Sequence, residues 1–179
     1  MAKVKSWQIL SAGAVALFAA EWALTNIVVK PVHQLDTRDK CEKELTLAGL
    51  SLADWEKNWH REDITVKSRY GYLLRGAVIP HDPDCTPADG RTRVVVIVHG
   101  YTVNLIASLK YAAIFRRLGF DCIVYDQRNH GMSDQALTTM GRREAEDLAT
   151  ICTWARQRFG QDCILGTHGA SMGAATVML

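Results

Sequence analysis

Close to the end of this 179-residue chain, Gly169-Ala170-Ser171-Met172-Gly173 sets a serine between two glycines in the spacing G-x-S-x-G. A serine hydroxyl attacks a carbonyl only when a base takes its proton and nearby dipoles stabilise the oxyanion that forms. Glycines on both sides permit a sharp turn that strains the serine and lifts its hydroxyl clear of the backbone. The chemistry such a turn serves is acyl transfer, with Ser171 as candidate nucleophile. Three fixed positions arise by chance in about one chain of this length in twenty at ordinary Gly and Ser usage, so the pentapeptide says little alone. Its placement says more. It follows an apolar strand-like run, Cys163 to Gly166, and precedes the Ala-rich start of a helix at Ala174-Ala175. The competing reading is a set of small residues that packs a helix closely on a sheet.

Two more polar clusters stand in equivalent positions. His99-Gly100-Tyr101-Thr102 follows the β-branched run Val94 to Val98, and Asp126-Gln127-Arg128-Asn129-His130-Gly131-Met132-Ser133 follows Cys122 to Tyr125. Apolar residues at helical spacing fill Asn104 to Leu118, which ends at Gly119, and Thr139 to Phe159, which ends at Gly160. Strand, helix, strand, helix, strand without a hairpin signal implies right-handed crossovers and a parallel sheet, hence an α/β fold with helices on both faces. In open sheets of this kind, reactive groups collect at the carboxyl ends of the strands, where all three clusters fall. Upstream, Ile64 to Lys67 and Tyr72 to Ile79 suggest an N-terminal hairpin. The segment Pro80 to Arg91, rich in Pro, Asp and Gly, must be a loop.

The first thirty residues differ in kind. Lys3 and Lys5 precede an apolar or small stretch from Ile9 to Ala20, and Trp7 to Val29 as a whole reaches the roughly 20 residues a bilayer span needs. Glu21 and Asn26 lie in its far half. This segment reads as an uncleaved signal anchor, with a cleaved signal peptide and a buried or surface helix as alternatives. The organisation is then a signal-anchor or transmembrane helix over 1–30, a polar helical lead-in over 31–63 with a Ser51/Asp54 cap, and an α/β domain over 64–179 that is incomplete at its C-terminus. A net charge of +2 from 21 scattered basic and 19 acidic residues gives no footprint for nucleic acid. Five cysteines lack metal-ligand spacing and read as structural thiols, with a Cys41–Cys85 bridge left open for an exported domain. No metal or organic cofactor is implied.

The stretches VVVIVHGYTVN, CIVYDQRNHGMSD and GTHGASMGAATVML, in this order and spacing, resemble the α/β-hydrolase superfamily. The likeness is strongest to bacterial, often membrane-anchored, serine hydrolases of the esterase and S33-peptidase-like group, and it covers Ile64 to Leu179. The resemblance implies Ser171 as nucleophile, with the backbone N–H groups of Tyr101 and Met172 as oxyanion donors, each worth about 3 kcal/mol in the transition state. It assigns Asp126, Arg128, Gly131 and Ser133 to a structural strand-end turn and gives His99 and His130 scaffold roles, with His168 as a packing residue. In this superfamily the acid and then the histidine follow the nucleophile in the chain, yet MGAATVML after Ser171 contains neither. The expectation is therefore the front part of a serine hydrolase of esters or small amides, held at a cell membrane with its domain outside the cytoplasm. A catalytically inactive, membrane-tethered binding module and one half of a two-chain enzyme are the alternatives.

Overall fold

The computed structural model describes residues 6–29 and 37–179. Lys3, Lys5 and Lys30, which frame the expected anchor, lie outside them. Five strands form one sheet in the order β1-β2-β4-β3-β5. Strand β1 (Glu62–Lys67) and β2 (Leu73–Ile79) make the expected hairpin, paired antiparallel from Glu62 with Val78 to Lys67 with Leu73. Strand β2 continues antiparallel onto β4 (Asp121–Tyr125). Strand β3 (Arg93–Val98) pairs in parallel with β4 on one side and β5 (Ile164–Gly169) on the other. Strands β3 and β4 are buried on both faces, which is why β3 reads as an unbroken β-branched run.

Side-chain alternation divides the apolar residues into two cores. On one face, Val95, Ile97, Cys122 and Val124 meet Ala112 of α4 (Leu109–Arg117), together with Cys41, Leu45 and Leu52. Those last three belong to α2 (Thr37–Leu47) and α3 (Leu52–Asn58), so the polar lead-in is packed into the core of the sheet. Ser51 caps α3 by accepting from Asp54 N at 3.4 Å. On the other face, Val94, Val96, Val98, Ile123 and Tyr125 meet Leu148, Ile151 and Ala155 of α5 (Arg142–Phe159). The last helix, α6 (Met172–Met178), adds Val177 to that side.

Several boundaries depart from expectation for identifiable reasons. The segment expected as one helix from Asn104 begins instead as a 3-10 turn, Leu105–Ser108, capped by Asn104 Oδ1, which accepts from Ile106 N at 3.0 Å. Helix α5 starts at Arg142 rather than Thr139, because Met140 (φ 53°) and Gly141 (φ 111°) are left-handed. Strand β5 runs through Thr167 and His168 to Gly169, past the apolar run that marked it. All five cysteines are free thiols, with Cys41 buried in the α2 core, so no Cys41–Cys85 bridge forms.

The N-terminal segment is helical, α1 (Ser6–Val29), with Leu17, Phe18, Trp22, Leu24 and Ile27 exposed. Among the described residues no helix is long and apolar enough to cross a membrane, so the transmembrane expectation for residues 1–30 finds no span. Glu21, Thr25 and Asn26 dilute the far half of α1. Its C-terminal end touches the body, where Tyr101 Oη donates to Val28 O at 2.7 Å and Thr138 N to Val29 O at 3.2 Å.

A buried ion network ties the β1–β2 hairpin and the β4 strand-end turn to α5. The Arg128 side chain, 1% exposed, donates to Asp147 Oδ2 at 2.7 Å and to Arg143 O at 2.6 Å, and stands 3.6 Å from Glu144. Asp147 also accepts from Ser68 Oγ at 2.6 Å and Tyr72 Oη at 2.8 Å. Every polar end has a partner, as burial of charge requires. Asp147→Ala leaves Arg128 short of its main counter-charge, and urea denaturation should show a loss of about 3 kcal/mol.

Candidate active site

Strand β5 ends at Gly169 and α6 starts at Met172, so Ala170 and Ser171 alone make the turn between them. Ser171 has φ 55° and ψ −121°, a backbone state that costs a non-glycine residue about 1–3 kcal/mol. Crowding of the neighbouring backbone holds it there. A Cβ on Gly169 would lie 2.1 Å from Gly173 O, and a Cβ on Gly173 would lie 2.2 Å from Val98 O and 2.6 Å from His99 O. Only hydrogen fits at either position. Ala170 N donates to Val98 O at 3.2 Å, which carries the β3–β5 ladder into the turn, and Ala174 N donates to Ser171 O at 2.9 Å, which starts the helix.

Ser171 is exposed and borders a cavity of about 300 Å³. Gly100, Tyr101 and Tyr111 line one part of it, and Lys40, Glu44 and Lys110 another. Gly100 faces the serine so closely that a Cβ there would meet Ser171 Cβ at 3.2 Å. The three polar clusters of the sequence thus converge at one end of the sheet. Among the described residues neither Tyr101 N nor Met172 N donates a hydrogen bond within the protein. Tyr101 is held through its hydroxyl on Val28 O and by the edge contact of its ring with His130, centroids 5.8 Å apart.

The clusters are joined by a chain of buried hydrogen bonds that no sequence signal singled out. Gln127 N donates to His99 Nε2 at 3.0 Å, Gln127 Nε2 donates to His99 O at 2.6 Å, and Thr176 Oγ1 of α6 donates to Gln127 Oε1 at 3.2 Å. Because His99 Nε2 accepts, its proton sits on Nδ1 and is donated to Gly100 O at 2.7 Å. Full burial, helped by the neighbouring His130, pushes His99 down to about 3, so it stays neutral. Asp126 fixes the adjacent loops, accepting from Leu105 N at 2.7 Å and Met132 N at 2.8 Å, while Ser133 Oγ donates to Asp126 O at 2.6 Å. Burial raises the Asp126 carboxyl to about 6. A Cβ on Gly131 would strike that carboxylate at 2.0 Å, which accounts for the glycine.

No described histidine hydrogen-bonds Ser171. His130 Nδ1 is committed to Arg128 O at 2.8 Å. His168 packs its ring against Tyr111 and Phe115, centroids 4.4 and 5.6 Å away, and burial lowers its pKa. His81 sits between Asp121 Oδ1 (2.8 Å) and Thr86 Oγ1 (3.2 Å) in the outline of a triad. That group lies at the opposite, amino end of β4, and the Thr86 hydroxyl donates to Pro83 O at 3.1 Å. Among the described residues no group of three His, Cys, Asp or Glu side chains is placed to hold a metal ion.

Two measurements check this geometry. Gly173→Ala must push α6 off the Val98 and His99 carbonyls and should cost about 3 kcal/mol in urea unfolding. His99 has its pKa depressed from 6.5 to about 3 in the fold, so below pH 6.5 the unfolded chain takes up a proton that the folded one refuses. Stability from this group is full above pH 6.5 and falls as pH drops towards 3. The stability difference between the wild type and His99→Gln, which cannot titrate, should change by about 1.4 kcal/mol per pH unit across that window.

Residues 93–179 match the family model described as the alpha/beta hydrolase fold. A curated relative, the uncharacterized protein YqkD of Bacillus subtilis, is 37% identical over 115 residues, which are 64% of this chain and 35% of YqkD. Similar solved structures include the esterase Pf2001 of Pyrococcus furiosus, with TM-score 0.58 and 23% identity over 69% of this chain and 45% of that one. A serine hydrolase without a lid from Xanthomonas campestris has TM-score 0.54 and 24% identity over 65% of this chain and 53% of its own. The likeness to these structures concerns the fold. This chain spans about a third of the curated relative and about half of each structure. By family model, the segment from Arg93 to Leu179 matches the α/β-hydrolase fold, and the similar structures share that fold.

Proposed function

We propose that this chain carries the nucleophile and oxyanion side of a serine hydrolase that cleaves ester or small amide bonds through an acyl-enzyme on Ser171. The observation that carries the reading is the strained Ser171 backbone, φ 55°, between two glycines that admit no side chain. Strain of this kind persists where the surroundings over-determine it, and it clusters at reactive sites. A helix packed on a sheet for stability alone has no use for it.

In this reading Ser171 Oγ attacks the substrate carbonyl carbon, and the carbonyl oxygen gains the negative charge. The N–H groups of Met172 and Tyr101 donate to that oxygen. Collapse of the tetrahedral species breaks the bond to the alkoxide or amine, which leaves with a proton, and water later releases the acid. A base must take the hydroxyl proton and return it to the leaving group. His99 cannot do so, because both of its ring nitrogens are already bonded. Among the described residues no other histidine hydrogen-bonds Ser171 either, so the proposal draws the base and its acid partner from outside the described residues, either further along the same polypeptide or from a second one. The esterase identity of the Pyrococcus furiosus neighbour supports the ester part of this reading.

The test uses the protein as its own cell produces it, exposed to a fluorophosphonate and to 4-nitrophenyl acetate. The expected result is a phosphonylated Ser171, with hydrolysis that falls about 10⁴-fold in Ser171→Ala. Labelling and turnover unchanged in that variant would overturn the assignment.

A further inference from the structure

The cavity beside Ser171 has a charge pattern that hydrolysis alone does not call for. Three ionisable side chains line it, Lys40 and Glu44 from α2 and Lys110 from α4. Lys110 Nζ and Glu44 Oε2 form an ion pair at 2.9 Å and neutralise each other. Lys40 has no such partner. Its Nζ donates to the neutral hydroxyl of Thr102 at 3.3 Å, and no ion pair to it is found among the described residues. The cavity therefore carries a surplus positive charge, and it does so next to Tyr101, which lines the same space.

The placement of Lys40 follows from the packing of its helix. Cys41 and Leu45, four residues apart, are buried against the 3-10 turn and α4, with Cys41 and Leu45 in the same core as Ile106 and Leu109. That anchors α2 with Lys40 and Glu44, also four apart, on the side towards the serine. Thr102, the partner of Lys40, is itself held at φ 57°. A lysine presented by a docked helix, uncompensated and at the mouth of a reactive cavity, is a recognition group for an anion.

We propose that the Ser171 cavity selects substrates that carry a carboxylate remote from the scissile ester or amide, with Lys40 as the residue that binds it. This deepens the serine-hydrolase reading and rests on it for the word substrate, while the anion preference of the cavity stands on the Lys40, Glu44 and Lys110 arrangement. Lys110 supplies the rest of the wall, its charge held by Glu44, which also raises its pKa.

The test compares mono(4-nitrophenyl) glutarate with its neutral counterpart 4-nitrophenyl pentanoate. Binding of each is measured by calorimetry on the full chain carrying Ser171→Ala, so that no turnover intervenes. The anionic ester should bind about fivefold more tightly, the size expected of a partly exposed charge pair, and the preference should shrink as salt is raised. Adding Lys40→Met should abolish it. Lys43→Met, one turn along on the exposed side of the same helix, should leave it intact, which separates the cavity from the general charge of α2. Glu44→Gln frees Lys110 and should enlarge the preference. Equal binding of the two esters, binding of neither, or a preference that survives Lys40→Met would overturn the proposal. Hydrolysis of the same pair by the protein as its own cell produces it, with Ser171 intact, is read separately. A retained anion preference without Ser171-dependent turnover would support the cavity assignment and count against the nucleophile.

Discussion

Three backbone segments meet at the end of β3 with no side chain between them, and the site depends on that contact. The carbonyls of Val98 and His99 lie against Gly173, the carbonyl of Gly173 lies against Gly169, and Ser171 Cβ lies against Gly100. Protein interiors are close-packed and yield little, so the chain between Gly169 and Gly173 has one way through, and it leaves Ser171 left-handed and outward. The conformation of the serine is thus a property of its neighbours. Hydrogen bonding then links the layers, from His99 through Gln127 to Thr176 on α6. A shift in any one of the three loops would be felt in the other two.

The buried polar groups divide into two kinds with different electrostatic logic. Arg128, Asp147 and Glu144 are charged and paired, and they fasten the hairpin side of the sheet to α5. His99 is kept uncharged and works through the direction of its two hydrogen bonds. Asp126 stands between them, with two backbone donors to favour its anion and deep burial to oppose it. Burial wins, as its raised pKa shows. The strand-end turn is held by the hydrogen bonds of Asp126 to Leu105, Met132 and Ser133.

Much of this was legible in the sequence, and what was not has physical reasons. The buried strands announce themselves because a parallel strand covered on both faces must be apolar throughout, as in Val94 to Val98. The serine turn is legible because glycine is needed on both sides of it. Strand β5 is only partly legible because the polar residues Thr167 and His168 interrupt its apolar run. The start of α5 is not legible because nothing local distinguishes Met140 at positive φ from a helical methionine. Lys40 and Glu44 were invisible as site residues. On a helix of charged side chains they look like solvated surface, and only the burial of Cys41 and Leu45 turns them towards the serine.

The attachment of α1 follows a different rule from the rest of the molecule. Its end is held by hydrogen bonds from Tyr101 Oη to Val28 O and from Thr138 N to Val29 O. Each such bond is worth about 1 kcal/mol net. The serine turn, by contrast, is jammed in place by atoms that cannot pass through one another. A pull on α1 would therefore part it from the body long before it disturbed Ser171. The helix is a leash with a weak clasp, and part of the clasp is fastened to a residue that lines the cavity beside Ser171.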